Sequence, residues 1–170
     1  MIKTSAARAA EKLLLAHPSD ELKKPVRSLA RASGCVVKLT PLEDDLSGMA
    51  FIKDGLRAIV INANHHPNRQ RFTIAHELAH HHLHIPMLET SVHVDKAIFR
   101  RNLRSSSGRY QKEIEANQFA AELLMPTATI RDLIPSHFDL QDEERLQKFA
   151  TMLGVSATAL NFRIQNVFGR

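Results

Sequence analysis

One cysteine, Cys35, occurs in 170 residues. This rules out an internal disulfide framework, and the small residues around it favour a buried structural thiol over a nucleophile. No apolar run approaches the roughly 20 residues that cross a bilayer. The opening Met1-Ile-Lys-Thr-Ser-Ala-Ala-Arg8 lacks the apolar stretch of a signal peptide. These absences lead us to expect a soluble, cytoplasmic protein without a membrane partner. A strong excess of one charge is also missing. The net charge of +5 permits an acidic partner without naming one, because solubility alone produces a balance of this size. The basic residues Arg100, Arg101, Arg104, Arg109 and Lys112 do cluster. A solvated loop is the plainer reading of them, and a patch for an acidic protein or nucleic acid the sharper one. The length suits one domain, residues 1–170, with a core of its own.

What the chain does have is Arg71-Phe-Thr-Ile-Ala-His-Glu-Leu-Ala-His-His-His-Leu-His84. Phe72, Ala75, Leu78, Ala79 and Leu83 recur as one buried face of an α-helix would place them. Within this stretch lies His-Glu-x-x-His. Residues four apart on a helix sit about 40° apart around the axis and roughly 6 Å along it, so His76 and His80 can present ring nitrogens to one ion. Glu77, on the flank of that pair, is placed to act on a water molecule instead of ligating the metal. The plain alternative is a surface helix that happens to be rich in histidine.

A catalytic zinc site usually takes three protein ligands. His84 lies about 12 Å along the axis from His76, too far to share one ion with it. The longer His-Glu-x-x-His-x-x-Gly-x-x-His pattern is excluded, because Leu83 and Pro86 stand where glycine and histidine are needed. A carboxylate from a second helix remains. The segment Tyr110 to Pro126 offers one, with Ile114, Phe119, Ala120, Leu123 and Leu124 forming a buried side and Pro126 a stop. Glu113 and Asn117 are four apart and can face one neighbour, one to bind the ion and the other to orient a ligand imidazole.

Ala75-His-Glu-Leu-Ala-His80, followed by Glu113-x-Glu-Ala-Asn-x-Phe-Ala-Ala-x-Leu-Leu-Met-Pro126, resembles the ImmA/IrrE family of zinc metallopeptidases. The resemblance implies an α+β, zincin-like metallopeptidase domain. By position it assigns zinc (Zn2+) to His76, His80 and Glu113 and makes Glu77 the general base. Glu115, on a different side of its helix, ranks second to Glu113. The implied activity is endopeptidase cleavage of a protein substrate, typically a DNA-binding repressor of the helix-turn-helix type. The rival reading is a catalytically silent regulatory module of the same shape that docks a repressor, or DNA directly, around a structural metal.

The rest of the chain fits such a domain. Thr4 to Ala16 and Pro25 to Ser33 read as scaffold helices, the second stopped by Gly34. Cys35 to Thr40, Met49 to Lys53 and Leu56 to Asn62 read as strands, the last two joined by an Asp54-Gly55 hairpin turn. They predict a small, mostly antiparallel sheet of about three strands packed by helices; the resemblance to zinc peptidases, in which an edge strand often aligns the substrate by strand addition, implies that role for this sheet. Which strand forms that edge is left open. His65 and His66 read as solvated loop side chains, Ser91 to Val94 as a short strand, and Asn102 to Arg109 as a candidate lid. Tyr110, at a helix start, is a candidate for oxyanion or substrate contact. Residues 127–170 are helical and resemble a helix-turn-helix around Gly154 and Ser156, here read as the closing piece of the domain. In the last helix Ala157, Leu160 and Ile164 should pack inward with Phe162 as a further candidate, leaving Asn161, Arg163 and Gln165 outward.

Overall fold

A computed structural model describes residues 3–96 and 107–169. Helix α1 (Ser5–Ala16) starts at Thr4, whose hydroxyl accepts the Ala7 N–H, and buries Ala6, Ala10 and Leu13. Helix α2 (Val26–Ala32) follows Pro25, and Gly34, at a φ of +79°, turns the chain into strand β1 (Cys35–Thr40). Strands β2 (Leu46–Lys53) and β3 (Leu56–Asn62) form a hairpin. Both central residues of its turn, Asp54 and Gly55, have positive φ, as a tight turn matched to the twist of the strands requires.

The sheet order is β1-β3-β2-β4, where β4 is His93–Lys96. Among the described residues the sheet thus has four strands, one more than expected, and β1 runs parallel to β3 while the other two pairings are antiparallel. The parallel pairing arises because the chain leaves β1, passes the end of β3 and enters β2 on its far side. Asn62, fully buried at the end of β3, holds that crossing. Its Oδ1 accepts from Leu42 N and Asn64 N, and its Nδ2 donates to Glu43 O and Leu46 O. The predicted strand over Ser91 to Val94 lies two residues further on, as β4.

Helix α3 (Pro67–Leu83) begins with His66 as its cap and Pro67 in its first turn, where a missing N–H costs nothing. It packs against β2, β3 and α2, and against helix α5 (Ser107–Leu124). Thr73 to His81 are all buried, so the helix has no solvent face along its middle. Arg71 ties it down by donating to Gly154 O and Lys24 O, and Asn68 donates to Val155 O. The short helix α4 (Ile85–Thr90) leads to β4. After α5 come α6 (Thr127–Leu133), α7 (Glu143–Leu153), the left-handed Gly154, and α8 (Ala157–Phe168), capped by Ser156. One hydrophobic cluster takes residues from Ala6 through Phe119 to Val167.

Two inward and outward assignments in α8 are reversed. Phe162 is 62 % exposed, while Arg163 points inward to an ion pair with Glu122 and donates to Met125 O. The guanidinium serves the buried Glu122 carboxylate, which also accepts from Thr127 N and Thr127 Oγ1. The candidate lid falls largely on residues outside those described, as do Arg100, Arg101 and Arg104.

The close approach of β2 to α3 has a checkable consequence. A Cβ on Gly48 would lie 2.7 Å from Thr73 Cγ2 and 2.9 Å from Val60 O, one a packed methyl and the other sheet backbone. Gly48→Ala is expected to destabilise the fold by about 1–3 kcal/mol. Thermal unfolding should show Tm lowered by about 2–4 °C per kcal/mol.

Candidate metal centre

His76 and His80, one turn apart on α3, bring their Nε2 atoms to 3.3 Å. Helix α5 crosses beside them and adds Glu113, with Oε2 at 3.2 Å from His76 Nε2 and Oε1 at 3.6 Å from His80 Nε2. Strand β4 adds a side chain that the motif reading missed: His93 Nε2 lies 2.9 Å from Glu113 Oε1. One donor atom from each of these four residues lies within 4.8 Å of every other, so the group could hold a metal ion.

Each imidazole is oriented by a partner on its far nitrogen. His76 Nδ1 is 3.0 Å from Asn117 Oδ1, His80 Nδ1 is 2.9 Å from His84 Nδ1, and His93 Nδ1 is 3.0 Å from Glu77 Oε2. His84 in turn reaches Glu115 Oε2 through its Nε2, at 2.9 Å. With a proton on each of the three Nδ1 atoms, each Nε2 keeps a lone pair facing Glu113, the arrangement metal-binding histidines take. His84, excluded as a ligand by its distance along the helix, instead links Glu115 to His80. Glu115 therefore supports the cluster from outside it, and Glu113 is the carboxylate within.

The donor set fits zinc, which takes imidazole nitrogen and carboxylate oxygen. Glu77 adds a second observation. It is fully buried, and its Oε1 has no hydrogen-bond partner among the described residues, a costly state for a carboxylate oxygen unless something binds there. The electrostatics agree. Burial opposes charge on Glu113, yet hydrogen bonds from His76 and His93 hold its carboxyl well below the usual range. Burial likewise opposes charge on His93, but Glu113 and Glu77 push its pKa up to about 10, and His76 is raised by the same carboxylates. Burial, with His93 and His76 close by, holds His80 well below the ordinary histidine value, leaving the neutral ring that ligation needs. The buried Glu77 and partly buried Glu113 carboxylates draw positive charge into this cluster, and a cation can take the place of those protons.

Residues 30–165, most of the chain, match the peptidase M78 family, described as an IrrE N-terminal-like domain. The chain belongs to this family. M78 proteins are metallopeptidases, and the His and Glu cluster lies inside the matched region. "Uncharacterized immunity region protein 2" of Bacillus phage phi105 is 35% identical over 99 residues, covering 58% of this chain and 53% of that protein. The chain thus aligns with about half the length of this relative.

The other sequence candidates stand outside the cluster of His76, His80, His93 and Glu113. Tyr110 is half exposed in the first turn of α5, one turn before Glu113 and on the same side of the helix. His66 caps α3 through its ring Nδ1. His65 is half-buried and not a solvated side chain: its Nε2 sits 3.2 Å from Asp44 O, bracing the loop that Asn62 also holds. His93 escaped notice because no helical spacing links it to His80. The signal that could have found it is a strand, His93 to Lys96, whose inward positions His93 and Asp95 are both polar and both buried.

Replacing His84 tests the orienting chain. His84→Ala removes the acceptor for His80 Nδ1, and Zn2+ affinity should fall about 10–100-fold. Competition with a chromophoric chelator measures this, and an unchanged far-ultraviolet circular dichroism spectrum confirms the fold.

Proposed function

We propose that the protein is a zinc-dependent endopeptidase whose substrate is a DNA-binding repressor of the helix-turn-helix type, with His76, His80 and Glu113 as metal ligands and Glu77 as general base. The observation that carries the reading is the buried Glu77 carboxylate beside converging side chains that could hold a metal ion, one of its oxygens without a partner among the described residues. When bound, zinc supplies a Lewis acid that polarises the scissile carbonyl and lowers the pKa of water. Glu77 Oε1 takes the proton from the attacking water and returns it to the leaving amine. Its other oxygen, Oε2, lies 3.0 Å from His93 Nδ1, which orients the carboxylate before substrate arrives.

The surroundings suit a polypeptide. Among the described residues strand β4 lies at an edge of the sheet, the kind of position where an extended segment joins by strand addition. A cleft begins at Phe72 and Asn117 beside His76 and runs past Met125 to Phe162. This gives the exposed Phe162 ring a use as an apolar contact for a substrate side chain. Tyr110 is open to substrate from the Glu113 side of α5. The choice of a repressor rests on the family resemblance and on the immunity-region relative.

Incubation with a helix-turn-helix repressor from the same genetic region tests the proposal. Discrete fragments should form with zinc and vanish with a chelator, and Glu77→Gln should abolish cleavage while zinc stays bound at one equivalent. Undiminished cleavage by the Gln variant would remove Glu77 from its role. Phe162→Ala should raise KM severalfold and leave zinc affinity unchanged, as steady-state kinetics and chelator competition would report.

A further inference from the structure

We propose that His93 is a fourth protein ligand, so that the resting metal centre is a closed three-histidine, one-glutamate site that must release His93 before it can act. The proposal rests on the reading of the cluster as a metal centre and adds to it. A tetrahedral ion with bonds of about 2.0–2.1 Å has donor atoms roughly 3.3 Å from one another. The three expected ligands show separations of 3.2, 3.3 and 3.6 Å, and His93 Nε2 stands 2.9 Å from Glu113 Oε1 in the same shell. The His93 ring also lies with its centroid 3.9 Å from that of His80.

Orientation points the same way. A ligating histidine almost always offers its second nitrogen to a carboxylate, carbonyl or similar acceptor. His93 does so through Nδ1 to Glu77, as His76 does to Asn117 and His80 to His84. His93 is as deeply buried as the other two, at 3 % exposure, and its strand gives that inward position to a histidine where an apolar residue would ordinarily stand.

Four protein ligands close a zinc site, whereas catalysis needs a position for water or substrate. His93 therefore holds the place the reaction requires. Its strand is also the sheet edge at which a substrate segment would add. Docking of the substrate on β4 and withdrawal of His93 then become one event, and zinc is exposed only when a substrate is in register.

Zinc-edge X-ray absorption on the intact zinc-loaded chain counts its imidazoles directly. Three are expected, and two would overturn the proposal while leaving the peptidase reading intact. Cobalt binding by His93→Cys supplies a second readout. Direct ligation should give a near-ultraviolet thiolate-to-cobalt charge-transfer band absent from the wild-type chain, whose one cysteine, Cys35, is buried elsewhere. Bound cobalt without that band overturns the proposal. His93→Ala should bind zinc at least about 10-fold more weakly. A wild-type chain that takes up neither metal would overturn the metal centre itself, and with it this inference.

Discussion

The constraint behind this structure is a fully buried carboxylate, Glu77, and a partly buried one, Glu113, both within reach of the His93 imidazole. An isolated carboxylate loses far too much hydration to be buried without compensation. The chain compensates by bringing histidines from a helix and a strand to one carboxylate from a second helix. Every one of those contacts depends on α3 and α5 crossing at a fixed depth. The two helices pack closely on one another, and Ala75, Ala79, Ala116 and Ala120 on them are all fully buried.

Four histidines within five residues, His80, His81, His82 and His84, then serve four directions. His80 faces Glu113, and His84 links it to Glu115. His81 reaches Ala58 O on β3 through its Nε2 at 3.0 Å, fastening the helix to the sheet. His82 lies 3.0 Å from Ser33 Oγ and stacks on Phe119, meeting α2 and α5 at once. The same residue type thus builds the cluster and anchors the helix that carries it, so the geometry of the site and the stability of the core are set by one segment.

What could be read from the chain alone follows from how far local rules extend. Helical spacing links His76 to His80 and Glu113 to Asn117, and turn chemistry marks Asp54-Gly55, so these placements were legible. The sheet was legible as to class, but the parallel pairing of β1 with β3 depends on Asn62 gripping a loop some twenty residues earlier, which no local pattern encodes. His93 is a tertiary neighbour of the helix and not a periodic one. Phe162 and Arg163 were misplaced for a related reason. Polarity ranks phenylalanine inside and arginine outside, and only the buried Glu122, forty-one positions away, reverses the order.

That reversal bears on the helix-turn-helix outline at the C-terminal end. Arg163 bonds Glu122, Met125 O and Thr127 Oγ1, while Leu160 and Ile164 are sealed in the common core. A recognition helix must turn its cations toward phosphates and slide into a groove as a protruding ridge. Here the arginine is knotted to the scaffold and the outward ring is aromatic. Helix α8 is a keystone of the fold, and its likeness to a DNA reader is one of outline alone.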